Sequence, residues 1–368
     1  MSDVTAVVLT LGEETTARAL RSVEEQSLAP AEIIVIADTV PFHAALNRGA
    51  ARVKSAYFVQ VDSDMVLDEH CFQLLRQCMV PGVGVAAGHL RDPLVGRACC
   101  VKMFRRECFD RVQFKDSISP DTDFIRDIAQ HGWSLVYALR FDHDAKPLWH
   151  TFGEHDPGYT PEYTFVKYVM EGGRYRHRGD LGGLLWHLRQ LRNSSHSAAL
   201  LAQIALAHGV FSAEEKDLLG SATASADLDF LLGFLTRVDT GDVRMPDVLP
   251  RLTSRPRDVL NKFCLLGIDL RKRGSTQELR YCMNVLADSG HKLAWVAQVG
   301  LCHGLLSQSY HPERFDEDYQ RLLRLLSGQG VPATKPRGIR GLFRLLRDRR
   351  GSVGIMARGE HEPACDRE

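Results

Sequence analysis

The sequence predicts an α/β N-terminal domain on a doubly wound, mostly parallel, Rossmann-like sheet, followed by an all-α C-terminal domain. Three observations predict it. Short β-branched runs alternate with helical patterns over roughly the first 145 residues. From about Leu184 onward, apolar residues recur three and four apart. The chain of 368 residues is long enough for two domains.

Taken in order, Val4–Thr10 is a β-branched run of buried-strand length, and Thr15–Glu25 follows with helical spacing. Glu32–Ala37 is a second apolar strand, Phe42–Lys54 a helix with a small apolar face, and Tyr57–Val61 a third strand. Asp68–Cys78 reads as helical, Gly84–Leu90 and Ala98–Arg105 as strands, Thr122–His131 as a helix and Ser134–Leu139 as a late strand. This β-α-β rhythm belongs to a parallel sheet covered by helices, with right-handed crossovers. Asp142–Gly183, rich in His, Gly, Pro and Tyr, reads as irregular, with one helix near Pro161–Glu171. The expected division is 1–180 (with 142–180 as a lid), 181–330 helical, and 331–368 a basic segment and unstructured tail. No residue repeat of fixed period is apparent, and a helical solenoid stays open.

Composition excludes several classes. Forty-six basic and 46 acidic residues leave zero formal net charge, against a whole-chain nucleic-acid binder. A hydrophobic content of 44% argues against disorder. No apolar run approaches the roughly 18–20 residues of a membrane span, and Met1–Val4 opens no signal peptide. The expectation is a soluble, cytoplasmic protein. Lys335–Arg350 is locally basic with Leu342, Phe343, Leu345 and Leu346 interleaved. It reads either as a solvated surface helix or as a peripheral contact with the inner face of an anionic membrane. Nine cysteines without a C-x-x-C read as reduced core fillers.

The strongest local signal is Asp62-Ser63-Asp64, directly after the third strand. Ligands of open α/β sheets bind outside the carboxyl ends of the strands. Two carboxylates there suit Mn²⁺ or Mg²⁺, which is held by one or two carboxylates plus substrate phosphates. Capping aspartates in a turn are the alternative.

A series of segments then resembles, in order and spacing, the GT-A domain of family 2 glycosyltransferases. These are Val7–Thr10, Leu20–Ser27, Glu32–Asp38, Ala45–Gly49, Phe58–Asp64, Lys102–Phe109 and Pro120–Phe124 with His131-Gly132-Trp133. The resemblance covers about 40% of the chain and stops before the helical part. It implies transfer of a sugar from a nucleotide-diphosphate donor to an acceptor hydroxyl, usually with inversion. It implies Asp121 as general base and Asp64 as metal ligand, with Asp62 sharing the metal or nearer the ribose. It places Thr10, Asp38, Asn47, Asp62 and Ser63 at the nucleotide-sugar, with Arg48 on the same helix. Asp121 also reads as a helix cap, and Asp123 is its rival as base.

Ala37 and Pro120 stand where the family often has acidic residues, which leaves the nucleotide unspecified. His143, His150 and His155 form a second cluster, from which His150 is taken as the third metal ligand. Tyr159, Tyr163, Arg174, Tyr175, Arg176, His177 and Arg178 read as a mobile lid or acceptor wall, or as a plain surface loop. A glycan, a lipid-linked chain or a protein all remain open as acceptor, and oligomeric state is not readable. Two other readings are weighed. A nucleotidyltransferase would open with a glycine-rich loop, and Thr10–Glu14 has one glycine and no lysine. A degenerate transferase scaffold is disfavoured by the retained Asp62, Asp64 and Asp121.

Overall fold

The computed structural model describes residues 2–141, 147–148, 151–212, 222–236, 246–253, 255–307, 312–326 and 354–357. His143, His150 and the basic stretch 335–350 lie outside them. The chain forms two compact units, Met1–Pro157 with Ala333–Glu368, and Gly158–Pro332.

The first unit is α/β. Strands β1 (Val4–Thr10), β2 (Glu32–Ala37) and β3 (Tyr57–Asp62) pair in parallel in the order β2-β1-β3, through helices α1 (Thr16–Glu24) and α2 (Phe42–Arg52). Every residue of β1 is buried, as its central place demands. A hairpin of β5 (Val83–Asp92) and β6 (Gly96–Arg105) extends the sheet, β6 antiparallel to both β3 and β5. Strand β7 (Ser134–Phe141) then pairs in parallel with β5, after helix α4 (Pro120–Gln130). Along β7-β5-β6-β3-β1-β2 only β6 is reversed, so the sheet is mostly parallel as expected. Two apolar layers cover it, one around Phe72, Leu75 and Phe152, the other around Leu46, Phe58, Phe104 and Phe124.

Four short strands were not expected. The helix expected over Asp68–Cys78 forms as α3 (Cys71–Cys78), and β4 (Met65–Leu67) precedes it. Strand β9 (Thr151–His155), inside the segment expected to be irregular, pairs with β4 in the register Met65↔His155. Gly153 permits that pairing: at φ +147° a Cβ there would lie 2.2 Å from the Val66 carbonyl. The two-residue β8 (Pro147–Leu148) lies against β7, and so does β10 (Gly354–Ala357), within the tail expected to be unstructured.

The second unit is helical: α5 (Pro161–Arg178), α6 (Leu181–Asn193), α7 (Ala199–Ser212), α8 (Ala222–Leu235), α9 (Pro256–Arg273), α10 (Thr276–Asp288), α11 (Ala294–Leu306) and α12 (Pro312–Leu326). Its first helix runs through Arg178 rather than ending near Glu171, and it belongs here because it packs on α7. The Pro161–Arg178 part of the segment expected as a lid is thus regular helix with committed side chains. Arg174 and Arg178 clasp Glu171, at 3.1 Å each. Arg176 donates to the carbonyls of Val210 and Phe211, and Tyr175 Oη meets His187 Nδ1 at 3.0 Å. No helix among the described residues is long and apolar enough to cross a membrane. The described cysteines Cys71, Cys78, Cys108, Cys264, Cys282 and Cys302 are free and buried. Burial pushes the thiols of Cys78, Cys108, Cys282 and Cys302 up to about 12, as core fillers require.

Candidate active site

A cleft of about 230 Å³ opens at the carboxyl ends of β1, β2 and β3. Leu9, Thr10, Leu11 and Glu13 line it from β1 and its loop, Ile36 and Thr39 from β2 and beyond, Phe42 and Ala45 from α2, and Asp62, Ser63 and Asp64 from β3 and its turn. Parallel strands all end here, so the position follows from topology.

Thr10 ends β1 and is buried at the cleft wall. Its Oγ1 donates to Glu13 Oε2 at 2.8 Å, meets Thr16 Oγ1 at 2.7 Å and accepts the Gly12 N–H at 2.9 Å. Burial alone would raise the Glu13 carboxyl. Hydrogen bonds from backbone N–H groups and from Thr10 and Ser63 outweigh it and hold the group below the usual range. Asp38 follows β2 at φ +50°, exposed, with its N–H on the Thr10 carbonyl.

The Asp62 carboxylate accepts from Gln60 Nε2 at 2.9 Å. Burial first, and then the neighbouring charge of Asp64, push its carboxyl up to about 6, with Gln60, Lys102 and His155 pulling the other way. Asp64 faces His155, whose Nε2 lies 3.2 Å from Asp64 Oδ2. The other ring nitrogen, Nδ1, donates to Asp92 Oδ2 at 2.8 Å. Asp92 is itself fixed at the β5–β6 turn, where its Oδ1 accepts the N–H groups of Leu94 and Val95. The β4–β9 pairing brings His155 to this place. Among the described residues, no group of three or more His, Cys, Asp or Glu side chains is arranged to hold a metal ion.

Asp121 stands in the first turn of α4, where its Oδ1 accepts the Thr122 N–H. Its Oδ2 lies 3.4 Å from Lys102 Nζ. Lys102 is nearly buried on β6, directly across from Gln60 on β3. Side chains opposite one another in a ladder share a face, so Lys102 connects Asp121 to the side of the sheet that carries Gln60 and Asp62. Asp123, the rival base, is buried and paired with Arg126 at 2.9 Å.

Asn47 needs correcting. Its amide is spent on the backbone of Phe114, donating to the carbonyl at 2.8 Å and accepting the N–H at 3.0 Å. It anchors the segment before α4 rather than facing the cleft. Arg48 donates to Thr39 Oγ1 at 3.0 Å.

The structure therefore gathers Thr10, Asp62, Ser63 and Asp64 at one cleft and links Asp121 to it through Lys102. Sequence reasoning overlooked Lys102, Asp92 and Glu13 as site residues, and favoured His150 over His155. Lys102 did leave a signal, as the lone charge within the apolar run Ala98–Phe104. Asp92 left none, because its role depends on a histidine far along the chain.

No family model matches the chain, and no curated protein matches it. Among solved structures, it is similar to the mannosyltransferase PcManGT from Pyrobaculum calidifontis in complex with GDP-Man and Mn²⁺. The TM-score is 0.35 and the identity 15%, over 64% of this chain and 81% of that one. It is also similar to S. aureus TarS 1-349, with TM-score 0.31 and identity 10%, over 86% of this chain and 91% of that one.

Proposed function

We propose that this chain is a glycosyltransferase that moves a sugar from a nucleotide-diphosphate donor to an acceptor hydroxyl with inversion, using a divalent cation, Mn²⁺ or Mg²⁺. The observation that carries the reading is the convergence of Thr10, Asp62, Ser63 and Asp64 on one cleft at the strand ends, with Asp121 joined to that face by Lys102. The ordered motifs that resemble family 2 agree with it.

The side chains fit a divalent cation. Asp62 and Asp64 are two neighbouring carboxylates at the strand end, and burial first, then the Asp64 charge, raise the Asp62 carboxyl. Behind Asp64, His155 is oriented by Asp92, the pattern of a carboxylate that fixes a metal-site imidazole. Asp64 and Asp62 would hold the cation and His155 would support them, leaving positions for phosphate oxygens and water. When bound, the cation neutralises charge developing on the leaving diphosphate. Leu11 and Phe42, exposed at the rim, offer apolar faces to a flat base, while Thr10 lies at the cleft wall; Asp38, just past β2, is not among the lining residues. Asp121 takes the proton from the acceptor hydroxyl. The helix start and Lys102 hold its two oxygens in a fixed direction before the acceptor arrives.

Calorimetric titration with a panel of nucleotide diphosphates and nucleotide-sugars, with and without Mn²⁺, tests the reading. Metal-dependent binding lost in Asp64→Ala is expected. If no diphosphate binds with metal, or the Asp64→Ala chain binds unchanged, the assignment fails.

A further inference from the structure

The helical unit contains a correspondence that the helix lengths first reveal. Helices α5 and α9 have 18 residues each, and α6 and α10 have 13 each. Sliding the chain by 95 positions lays residues 161–212 on 256–307 without a gap, and 17 of the 52 aligned positions are identical. The offset occurs only once, so no short period betrays it, and the apolar positions between the identities exchange freely.

The shared residues hold geometry. Gly179 and Gly274 close α5 and α9 in the left-handed conformation, at φ +64° and +70°. Arg176 donates to the carbonyls of Val210 and Phe211, and Arg271 to those of Leu305 and Leu306. The N–H of His196 donates to Ser194 Oγ, and that of His291 to Ser289 Oγ, each at 3.2 Å. The two imidazoles accept the N–H groups of Ala198 and Leu293, each at 3.1 Å. Where α5 crosses α7, a Cβ on Gly209 would lie 2.0 Å from the Val169 carbonyl. Where α9 crosses α11, one on Gly304 would lie 2.1 Å from the Cys264 carbonyl.

The fourth helices, α8 and α12, correspond through an aspartate. His208 on α7 faces Asp227 on α8 at 3.9 Å, and its counterpart His303 on α11 faces Asp318 on α12 at 2.9 Å. The counterparts also meet each other: His208 Nδ1 and His303 Nδ1 are 3.3 Å apart, with the rings stacked. A residue that touches its own counterpart lies on or beside a two-fold axis, the mark of an isologous interface. A solenoid would set counterparts one repeat apart along an axis instead.

We propose that the helical unit is a tandem duplication of one four-helix module, α5–α8 and α9–α12, packed as a fused pseudo-dimer. Each module's mating face takes a second copy of the same module as its partner, and the buried His208–His303 pair marks the local two-fold axis. The proposal does not depend on the glycosyltransferase reading.

The contact is buried: burial, reinforced by His303, pushes His208 down to about 3, and burial pushes Asp227 up to about 6.

Denaturant unfolding of the full chain tests the contact. His208→Leu and His303→Leu should each weaken stability, and the double variant should lose less than their sum, by on the order of tenfold in the unfolding constant. If the leucine variants do not fold, His→Gln at the same positions replaces them in the cycle. A crystal structure of the full chain tests the symmetry: superposing 161–212 on 256–307 should need a half-turn with little slide along the axis. Additive losses, or a superposition dominated by a slide, would overturn the proposal.

Discussion

Among the described residues, aspartate and histidine meet in buried surroundings twice, to opposite ends. In the α/β unit, Asp92, His155 and Asp64 form a row that ends at a cleft of about 230 Å³. In the helical unit, Asp227, His208, His303 and Asp318 form a row whose middle members face each other. The side-chain chemistry is nearly the same, and access separates the two. The strands of a parallel sheet all stop at one edge, so groups placed there face open space that a ligand enters. Helices of paired modules close on their counterparts, and the polar groups between them find partners inside the protein.

The largest expected effect strikes the open site alone. Asp121→Asn should lower transfer by about 10²–10⁴-fold in a glycosyl-transfer assay while donor affinity stays unchanged. Asp121 retaining its rate as asparagine would move the base elsewhere. His303→Leu, by contrast, should leave transfer per folded molecule intact. Next, Gly209→Ala and Gly304→Ala should each cost about 3 kcal/mol in urea denaturation, because the new methyl meets backbone. Unequal losses at the two positions would weaken the equivalence of the modules.

Asp92→Asn tests the support behind Asp64. It should weaken Mn²⁺ binding by about 10–100-fold in calorimetry. A smaller effect is expected from Asn47→Ala, which should cost about 1–3 kcal/mol of stability and leave donor affinity alone.

The last prediction concerns pH. Burial, and then the charge of Asp64, push the folded Asp62 carboxyl up to about 6, against 3.8 for an ordinary aspartate. Between these values the folded chain without metal holds a proton that the unfolded chain has released. This group's penalty on folding therefore grows as pH rises from about 4 to 6, and it is full at pH 7. A bound cation removes that penalty at pH 7, but at pH 5 it must first displace the proton. The rise in melting temperature on adding Mn²⁺ should thus be larger at pH 7 than at pH 5, with affinity falling about tenfold per unit below 6. A pH-independent rise would take Asp62 out of the cation site.

Much of the open site was legible in the chain. Strands β1 and β2 coincide with the β-branched runs, and Asp62-Ser63-Asp64 falls at the strand end where the pattern put it. The closed site was not legible: nothing in Ala198–His208 read alone shows that its histidine meets a counterpart in α11. Asn47 was misread because it lies on the same helix as cleft residues Phe42 and Ala45, while its amide turns to a loop that helical periodicity does not reveal.

The sequence by itself determined the alternation of strands and helices, the strand-end carboxylates, and the change to an all-helical second half. These follow from burial periodicity, which neighbouring residues set together. Only the tertiary structure decided that His155 stands behind Asp64, that Lys102 joins Asp121 to the sheet, and that His208 faces His303. Those partnerships rest on strand register, a glycine that lets β4 and β9 approach, and a local two-fold axis. Each brings together residues distant in the chain, and local spacing carries no record of such pairings.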